Sequence, residues 1–175
     1  MMTLSYTICF CYRGDLVLML YRNRPPNQGL WNGLGGKIQP NETPFACVQR
    51  EMLEEAGIDL SRSLTCRFAG IVTWPNGTDP TGPSKGMYAF LAELSPGAET
   101  WEREWVTPEG RLCWKPLAWV CDPQNTAVVE NIPHFLPQMF SQRRPQEYYC
   151  DYRAGLLIGV SVRLLPECVM VEMNA

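Results

Sequence analysis

The chain has 175 residues, 46% of them apolar, which is enough for one domain with a substantial buried core. Its formal net charge is -3 and its 15 Lys and Arg residues are scattered, which excludes the basic stripe expected of a protein that binds a nucleic acid polymer. No apolar run approaches the roughly 20 residues that span a bilayer, and the N-terminus lacks a signal-peptide pattern, so we expect a soluble, cytoplasmic protein without a membrane partner.

Two predicted strands begin the chain, at 4–12 and 16–21, with turn-forming residues at 13–15 between them. The segment 23–29 is rich in Pro, Asn and Gly. The next segment, 31–38, contains three glycines, which leave the backbone open to close approach by a ligand. We therefore expect a hairpin followed by a ligand loop.

A helix is predicted next. Thr43 is a typical N-cap residue, Pro44 suits the first helical position, and Gly57 stands where a helix ends in a left-handed residue. These signals place the helix at 44–56.

The rest of the chain predicts more strands and a second helix. The elements are strands at 64–74, 87–94 and 112–120, a helix at 126–140 interrupted near Pro133, and a hairpin at 147–165 that turns near Gly155. The polar loop 75–86 is expected to border the substrate cleft. Strands mixed with two separate helices indicate an α/β domain with a mixed sheet.

The eight cysteines lie far apart and form no C-x-x-C pair, so the pattern favours reduced thiols over a disulfide framework or a zinc site. Cys9 and Cys11 have the spacing of one strand face and are expected in the core. At the end of the chain, the apolar tail 168–173 has two interpretations, an edge strand in a homodimer or a segment that packs back on a monomer.

Three glutamates share one side of the first helix. On a helical wheel Glu51, Glu54 and Glu55 fall within an arc of about 100°. The opposite arc is expected to pack on the sheet and contains Phe45, Ala46, Val48, Met52, Leu53 and Ala56. The wheel therefore predicts an acidic face that looks into a cleft or solvent.

Such a face is commonly just solvated, but clustered carboxylates are also the hard oxygen ligands that Mg²⁺ and Mn²⁺ prefer. Arg50 lies one turn before Glu54, where it is expected to hold that carboxylate in place. Cys47 falls between Glu51 and Glu54 on the wheel. It is interpreted either as a small spacer or as a thiol beside the metals whose oxidation influences activity.

The surrounding residues separate the two interpretations of the acidic face. The pattern G-x5-E-x7-R-E-U-x-E-E-x-G-U, with U a large apolar residue, is matched at every fixed position by Gly36, Glu42, Arg50, Glu51, Glu54, Glu55 and Gly57. Residues 36–58 therefore resemble the Nudix box. One small departure is Met52, where the family usually has Leu, Ile or Val.

The resemblance implies a Nudix fold, in which a mixed β-sheet is sandwiched between helices (an α/β/α sandwich). It implies a domain at 1–144, with the hairpin and tail at 145–175 packed on the same domain. It also implies Mg²⁺-dependent hydrolysis of a pyrophosphate bond in a nucleoside diphosphate derivative, with Mn²⁺ as a possible substitute. A small nucleotide is then the expected partner.

The family's roles carry over residue by residue. Glu51, Glu54 and Glu55 become metal ligands together with the Gly35 carbonyl, and Glu51 or Glu54 becomes the general base. A further acid often approaches the metals from a later loop in MutT-like members, and Glu109 has the corresponding place. Glu42 and Arg50 complete the set, Glu42 as a mainly structural residue and Arg50 as part of the catalytic group.

The segment 31–37 resembles the MutT-homologue branch, which hydrolyses oxidised purine nucleoside triphosphates such as 8-oxo-dGTP. In that branch the Asn after Trp touches the base, so Asn32 is the first candidate for base recognition, with an ordinary turn amide as the alternative. Arg22 and Lys37 are candidates for phosphate oxygens, or else surface cations.

The acidic pair that reads the oxidised base in those relatives is absent from 131–135. Asn131 and His134 are the candidate replacements, although a lone His is more often an ordinary core or surface residue. Two other functions stay open. ADP-ribose hydrolases tend to carry a Pro about 16 residues past the box, and Pro75 is only loosely placed for this. A sensor domain that binds a nucleotide without cleaving it usually lacks box glutamates, and here all of them are present.

Overall fold

The computed structural model of the chain describes residues 3–77, 83–95, 104–167 and 169. The strands in these ranges are β1 (Thr3–Arg13), β2 (Leu16–Arg22), β3 (Trp31–Asn32), β4 (Thr65–Trp74), β5 (Lys85–Glu93), β6 (Glu104–Thr107), β7 (Gly110–Pro116), β8 (Gln146–Arg153) and β9 (Leu156–Leu164). The helices are α1 (Pro44–Ala56), α2 (Leu117–Val120) and α3 (Ile132–Ser141), with a 3-10 turn at Leu60–Arg62.

The strands form one mixed sheet in the order β6-β7-β2-β1-β5-β4-β8-β9, with β3 paired to β2. The pairs β1–β5 and β4–β8 are parallel, whereas the other pairs are antiparallel. Parallel pairs need crossover connections, and α1 lies in the connection from β1 to β5. The predicted mixed sheet is confirmed.

Each face of the sheet is covered by a helix. On one face Phe135 and Leu136 of α3 pack with Phe10 of β1. On the other face Val48 and Met52 of α1 pack against strand residues that include Cys9 and Cys11. Alternate side chains of β1 thus enter the two cores, as the period of a strand requires. The α/β/α sandwich and the burial of both cysteines are confirmed, and the cysteines in the described ranges are free thiols.

The glycine-rich segment runs through the middle of the sheet. β1 and β2 pair with each other only near their turn, at Tyr12–Val17 and Arg13–Leu16. Farther on they separate, and the chain from Trp31 to Lys37 lies between them. β3 pairs with β2, while Leu34 and Lys37 form bridges to β1. This insertion brings the backbone of 33–37 beneath α1.

Two predicted elements need correction. The strand predicted at 112–120 ends at Pro116, because the chain then turns into α2 and the Leu117 amide donates to the Asp15 carbonyl at 2.7 Å. The helix predicted at 126–140 begins only at Ile132. Pro133 does not interrupt it but lies in its first turn, where the missing amide proton carries no cost. Residues 127 and 129 instead bond to the backbone of Trp31.

Of the tail predicted at 168–173, only residue 169 lies within the described residues, and Val169 is buried in the core on the α1 face. The choice between an edge strand in a homodimer and a segment that packs back therefore falls outside the described residues. None of the helices in the described ranges is long and apolar enough to cross a membrane.

Candidate active site

The ends of α1 fix the position of the glutamates. The Thr43 hydroxyl accepts a hydrogen bond from the Ala46 amide at 3.1 Å, and Pro44 occupies the first turn. Gly57 ends the helix in the left-handed conformation, with φ at 68°, and its amide donates to the Leu53 carbonyl at 3.0 Å. Both predicted ends are confirmed.

The predicted packing face is confirmed for Val48, Met52 and Ala56, which are buried, and wrong for Phe45, Ala46 and Leu53, which are exposed. Cys47, which was predicted between Glu51 and Glu54, is also buried. The packing face is therefore rotated toward the glutamates, so that the Glu51 side chain is only 14% exposed while that of Glu54 is 61% exposed. The cause is the backbone of 33–37, which lies beneath α1 and offers glycines where a strand would present side chains.

Gly35 and Gly36 allow the helix to approach. Gly35 has φ at 140°, and a Cβ there would overlap the Thr7 carbonyl. A Cβ on Gly36 would overlap the Glu51 carboxylate. The Gly36 carbonyl accepts from the Thr7 amide at 2.9 Å, which ties this backbone to β1. Glycine is therefore required at position 35, and a larger residue at position 36 would displace the Glu51 carboxylate.

Glu55 is half-buried against the same backbone, and its carboxylate accepts a hydrogen bond from the Gly35 amide at 3.1 Å. Burial raises the pKa of Glu55 to about 7, against the lowering effect of the Gly35 amide. The charges of Glu51 and Glu109 raise this pKa further, whereas the charge of Arg22 lowers it. Glu109 and Arg22 therefore lie within electrostatic reach of the box, although they are far from it in sequence.

Arg50 connects the remaining carboxylates. Its guanidinium donates to Glu42 at 2.8 and 3.0 Å and to Glu51 at 2.6 Å, whereas its bond to Glu54 is longer, at 3.3 Å. The predicted contact of Arg50 with Glu54 is confirmed. The shorter bonds go to Glu42 and Glu51, which are the better shielded carboxylates, and Glu42 accepts two of them. The Arg50 guanidinium lowers the pKa of Glu42 to about 2.

The oxygen donors suit a hard divalent cation. Three box glutamates and the Gly35 carbonyl supply the ligand types that Mg²⁺ and Mn²⁺ prefer. Within the described ranges no three Asp, Glu, His or Cys side chains converge closely enough to hold an ion in this arrangement. Arg50 Nη1 donates to one oxygen of Glu51, at 2.6 Å, and to one oxygen of Glu54, at 3.3 Å. The carboxylate and carbonyl oxygens fit the ion in their chemistry, and Arg50 orients two of the carboxylates that would hold it.

Arg22 and Asn32 form local hydrogen bonds, whereas Lys37 is exposed. Arg22 donates from Nε to the Pro26 carbonyl at 2.7 Å, within the loop that follows β2. Lys37 is exposed directly after Gly36. The Asn32 side-chain oxygen accepts from the Gly33 amide at 2.9 Å, as the turn-amide alternative predicts.

The side chains of Asn131 and His134 lie in different surroundings. The Asn131 side chain is buried and directed to the Cys150 sulfur at 3.7 Å. His134 lines a cavity of about 460 Å³ together with Asn27, Glu130 and Tyr152. Sequence reasoning missed Glu130, although it lies directly before Asn131, because the segment was predicted to be helical.

Cys47 contacts the site without the properties of a redox sensor. Its sulfur lies 3.4 Å from the Thr7 hydroxyl and 3.6 Å from Arg50 Nη2. Burial raises the pKa of the thiol to about 11, which leaves almost no reactive thiolate at neutral pH. The spacer interpretation is therefore favoured over oxidation.

The NUDIX domain model matches residues 2–139. Among curated relatives, the chain is 26% identical over 155 residues to the 8-oxo-dGDP phosphatase NUDT18 of Homo sapiens, covering 86% of this chain and 45% of that protein. It is 28% identical over 149 residues to diphosphoinositol polyphosphate phosphohydrolase 2 of Rattus norvegicus, covering 71% and 77%. The chain thus spans less than half of the length of the first of these relatives.

The fold also matches solved structures. The mutator MutT protein of Bacillus halodurans superposes with a TM-score of 0.61 at 21% identity, covering 90% of this chain and 95% of that protein. This likeness shows the shared fold, which is the sandwich described above. With the family model covering most of the chain and the box residues gathered at the Gly35–Gly36 backbone, the chain belongs to the NUDIX domain family and is MutT-like in fold.

Proposed function

We propose that this chain hydrolyses a pyrophosphate bond in a nucleoside di- or triphosphate derivative with the help of Mg²⁺, and that an oxidised purine nucleotide is its preferred substrate. The observation that carries the proposal is the convergence of Glu51 and Glu55 on the Gly35–Gly36 backbone, with Arg50 bonded to Glu51. Like charges gathered at a backbone ligand need a cation to balance them.

The bound cation would neutralise charge on the phosphate oxygens. It would also lower the pKa of a bound water molecule toward neutrality, so that hydroxide is available for attack. Glu51, Glu54, Glu55 and the Gly35 carbonyl would hold it. Glu51 or Glu54 then takes the proton of the attacking water. Arg50 orients Glu51, while Arg22 and Lys37 supply positive charge to the phosphates.

The cavity at His134 supports a purine as the nucleoside. Its walls combine apolar side chains, such as Leu30 and Val129, with polar groups from Glu130, His134 and Tyr152. A nucleobase needs such a mixture of apolar contact and a few donors and acceptors. Asn27 and Leu30, in the loop that follows Arg22, also line this cavity, so in the proposed complex Arg22 and the base lie at opposite ends of one loop.

One relative, NUDT18, carries the name 8-oxo-dGDP phosphatase, and this name supports an oxidised purine as the substrate. Another relative is named for diphosphoinositol polyphosphates, so the substrate has to be tested directly. A triphosphate would yield the monophosphate and pyrophosphate, and a diphosphate would yield the monophosphate and phosphate. The test is a panel of canonical and oxidised nucleoside di- and triphosphates and ADP-ribose with Mg²⁺, comparing kcat/KM.

We expect the largest kcat/KM for an 8-oxo-purine nucleotide, together with a smaller preference for it in His134→Ala. A preference for ADP-ribose would overturn the substrate assignment. Nucleotide binding without turnover of any panel member would instead identify a sensor domain.

A further inference from the structure

The turn between β6 and β7 carries Glu109 at the edge of the sheet. Thr107 pairs with Gly110, so the turn itself consists of Pro108 and Glu109. β7 is held by its pairing with β2, but the four-residue strand β6 has only β7 as a neighbour, and Val106 on it is 82% exposed. Because a short edge strand holds a turn only weakly, the place of Glu109 depends on contacts from other parts of the fold.

Asn23, the first residue after β2, supplies two of these contacts. Its amide donates to the Glu109 carbonyl at 3.1 Å, and its side-chain Nδ2 donates to the Pro108 carbonyl at 3.3 Å. One residue thus ties down both residues of the turn. The next residue, Arg24, lies 4.0 Å from the Glu109 carboxylate.

The turn also packs closely on the end of β2. Gly110 pairs with Arg22 and has φ at 153°, and a Cβ at this position would overlap the Tyr21 carbonyl. Glycine permits this approach. The turn and the end of β2 therefore form one fitted unit, in which Asn23 holds the tip.

Glu109 lies within electrostatic reach of the box. Burial is the main cause of the raised pKa of Glu55, and the charges of Glu51 and Glu109 raise this pKa further. The family resemblance implies that Glu109 is a further metal ligand. A ligand on a loop contributes to affinity only where the loop holds it close to the productive geometry, within about 0.5 Å.

We infer that Asn23 is a positioning residue for metal binding, because its two hydrogen bonds hold the turn that brings the Glu109 carboxylate to the cation. The inference rests on the proposed function and extends the site to a residue outside the box. Asn23 is itself exposed, and within the described ranges its hydrogen bonds go to the turn and not to a box residue. Its effect on the metal therefore passes through Glu109.

The first test measures Mn²⁺ binding to the protein without substrate, from the electron paramagnetic resonance signal of the free ion. It forms a double-mutant cycle of wild type, Asn23→Ala, Glu109→Gln and the double variant. A side-chain hydrogen bond corresponds to about two- to ten-fold in an equilibrium constant, so we expect Asn23→Ala to weaken Mn²⁺ binding at least about two-fold. In the Glu109→Gln background we expect no further loss. Equal losses in the two backgrounds, or wild-type binding by either single variant, would contradict the inference.

A second measurement separates positioning from a purely structural bond. Urea denaturation without metal gives the free energy of unfolding of each variant. If Asn23→Ala is less stable but binds Mn²⁺ as wild type does, the bond is structural and the inference fails. Gln28→Ala is the matched control, because it removes an amide side chain from the same loop, is exposed and does not line the cavity at His134. We expect it to bind Mn²⁺ as wild type does, and an equal loss in this control would count against a specific role of Asn23.

Hydrolysis distinguishes this inference from the proposed function. Weaker metal binding predicts that Asn23→Ala needs more Mg²⁺ for its half-maximal rate, while its kcat at saturating Mg²⁺ stays close to that of wild type. If Mn²⁺ binding shows the expected cycle but no nucleotide is hydrolysed, the proposed function fails while the role of Asn23 stands. If nucleotides are hydrolysed and Asn23→Ala has the metal dependence of wild type, the role of Asn23 alone fails.

Discussion

Arg50 makes four charge-assisted bonds to three carboxylates, and two of those carboxylates belong to the proposed metal site. A guanidinium that is bidentate to Glu42 keeps its plane fixed while its free edge meets Glu51 and Glu54. Glu42 therefore anchors the arginine, and the arginine aligns the ligands. The predicted structural role of Glu42 is thus to hold the Arg50 guanidinium in place.

Replacing an exposed metal ligand tests the proposed metal site without disturbing the fold. Glu54 is exposed, so Glu54→Gln is expected to fold normally, yet it removes a ligand charge and a candidate base. We expect kcat/KM with Mg²⁺ to fall by about 100-fold or more. Glu167→Gln, an exposed glutamate outside the box, serves as the control. Unchanged hydrolysis in Glu54→Gln would show that the metal site is misassigned.

The space between Gly36 and Glu51 gives a second prediction. An added methyl group in Gly36→Ala overlaps the Glu51 carboxylate, which must then move from its place beside Arg50. Because displacement of a catalytic group by about 1 Å can cost about 100-fold in rate, we expect a loss of this order. Gly77→Ala is the matched control, since a Cβ there meets nothing. Activity of Gly36→Ala near the wild-type level would contradict the close approach.

The ion pair of Glu42 predicts a dependence of stability on pH. Because its pKa is lowered to about 2 by Arg50, the ionised carboxylate favours the folded state. This stabilisation is complete above about pH 5 and is lost as the pH falls toward 2. We expect Glu42→Gln to lower the free energy of unfolding by about 2 kcal/mol at pH 7 and by less than half of that at pH 3. Urea unfolding at both pH values measures this, and a difference that does not change with pH would argue against the ion pair.

At the scale of elements, α1 could be predicted almost completely because its boundary signals are local. Thr43, Pro44 and Gly57 act through hydrogen bonds and dihedral angles within a few residues of the helix ends. The start of α3 could not be predicted in this way. Residues 127 and 129 bond to the backbone of Trp31, about a hundred positions earlier. A local sequence pattern cannot indicate such a distant partner.

The packing face of α1 could be predicted only in part, at Val48, Met52 and Ala56. A helical wheel assumes that apolar side chains mark the packing face, but here glycine backbone beneath the helix accepts Glu51 and Glu55 while Leu53 faces solvent. Family resemblance supplied the identity of the glutamates. Their arrangement, the reach of Glu109 and Arg22 to Glu55, and the place of Glu130 required the tertiary structure.

The N-cap of α1 provides a prediction at this scale. Thr43→Ala removes the acceptor for the Ala46 amide and is expected to lower the free energy of unfolding by about 1 kcal/mol. Thr43→Ser keeps a hydroxyl and is expected to keep most of that stability. Chemical denaturation compares the two variants. If alanine and serine cost the same, the hydroxyl does not cap the helix.

At the scale of the whole molecule, the hairpin of β8 and β9 lies entirely beyond the residues that the family model matches, yet β8 pairs with β4 in the sheet. Tyr148 of β8 is fully buried with α3 in one core, whereas Leu164 of β9 is 86% exposed. If the hairpin is part of the same cooperative unit, Tyr148→Ala should lower the free energy of unfolding by about 3 to 5 kcal/mol, and Leu164→Ala by no more than about 0.5 kcal/mol. Urea unfolding monitored by tryptophan fluorescence and by circular dichroism should give coincident single transitions in both variants. A Tyr148→Ala transition that splits in two, with the α1 region unfolding at the wild-type midpoint, would mean that residues 145–164 fold as a unit of their own.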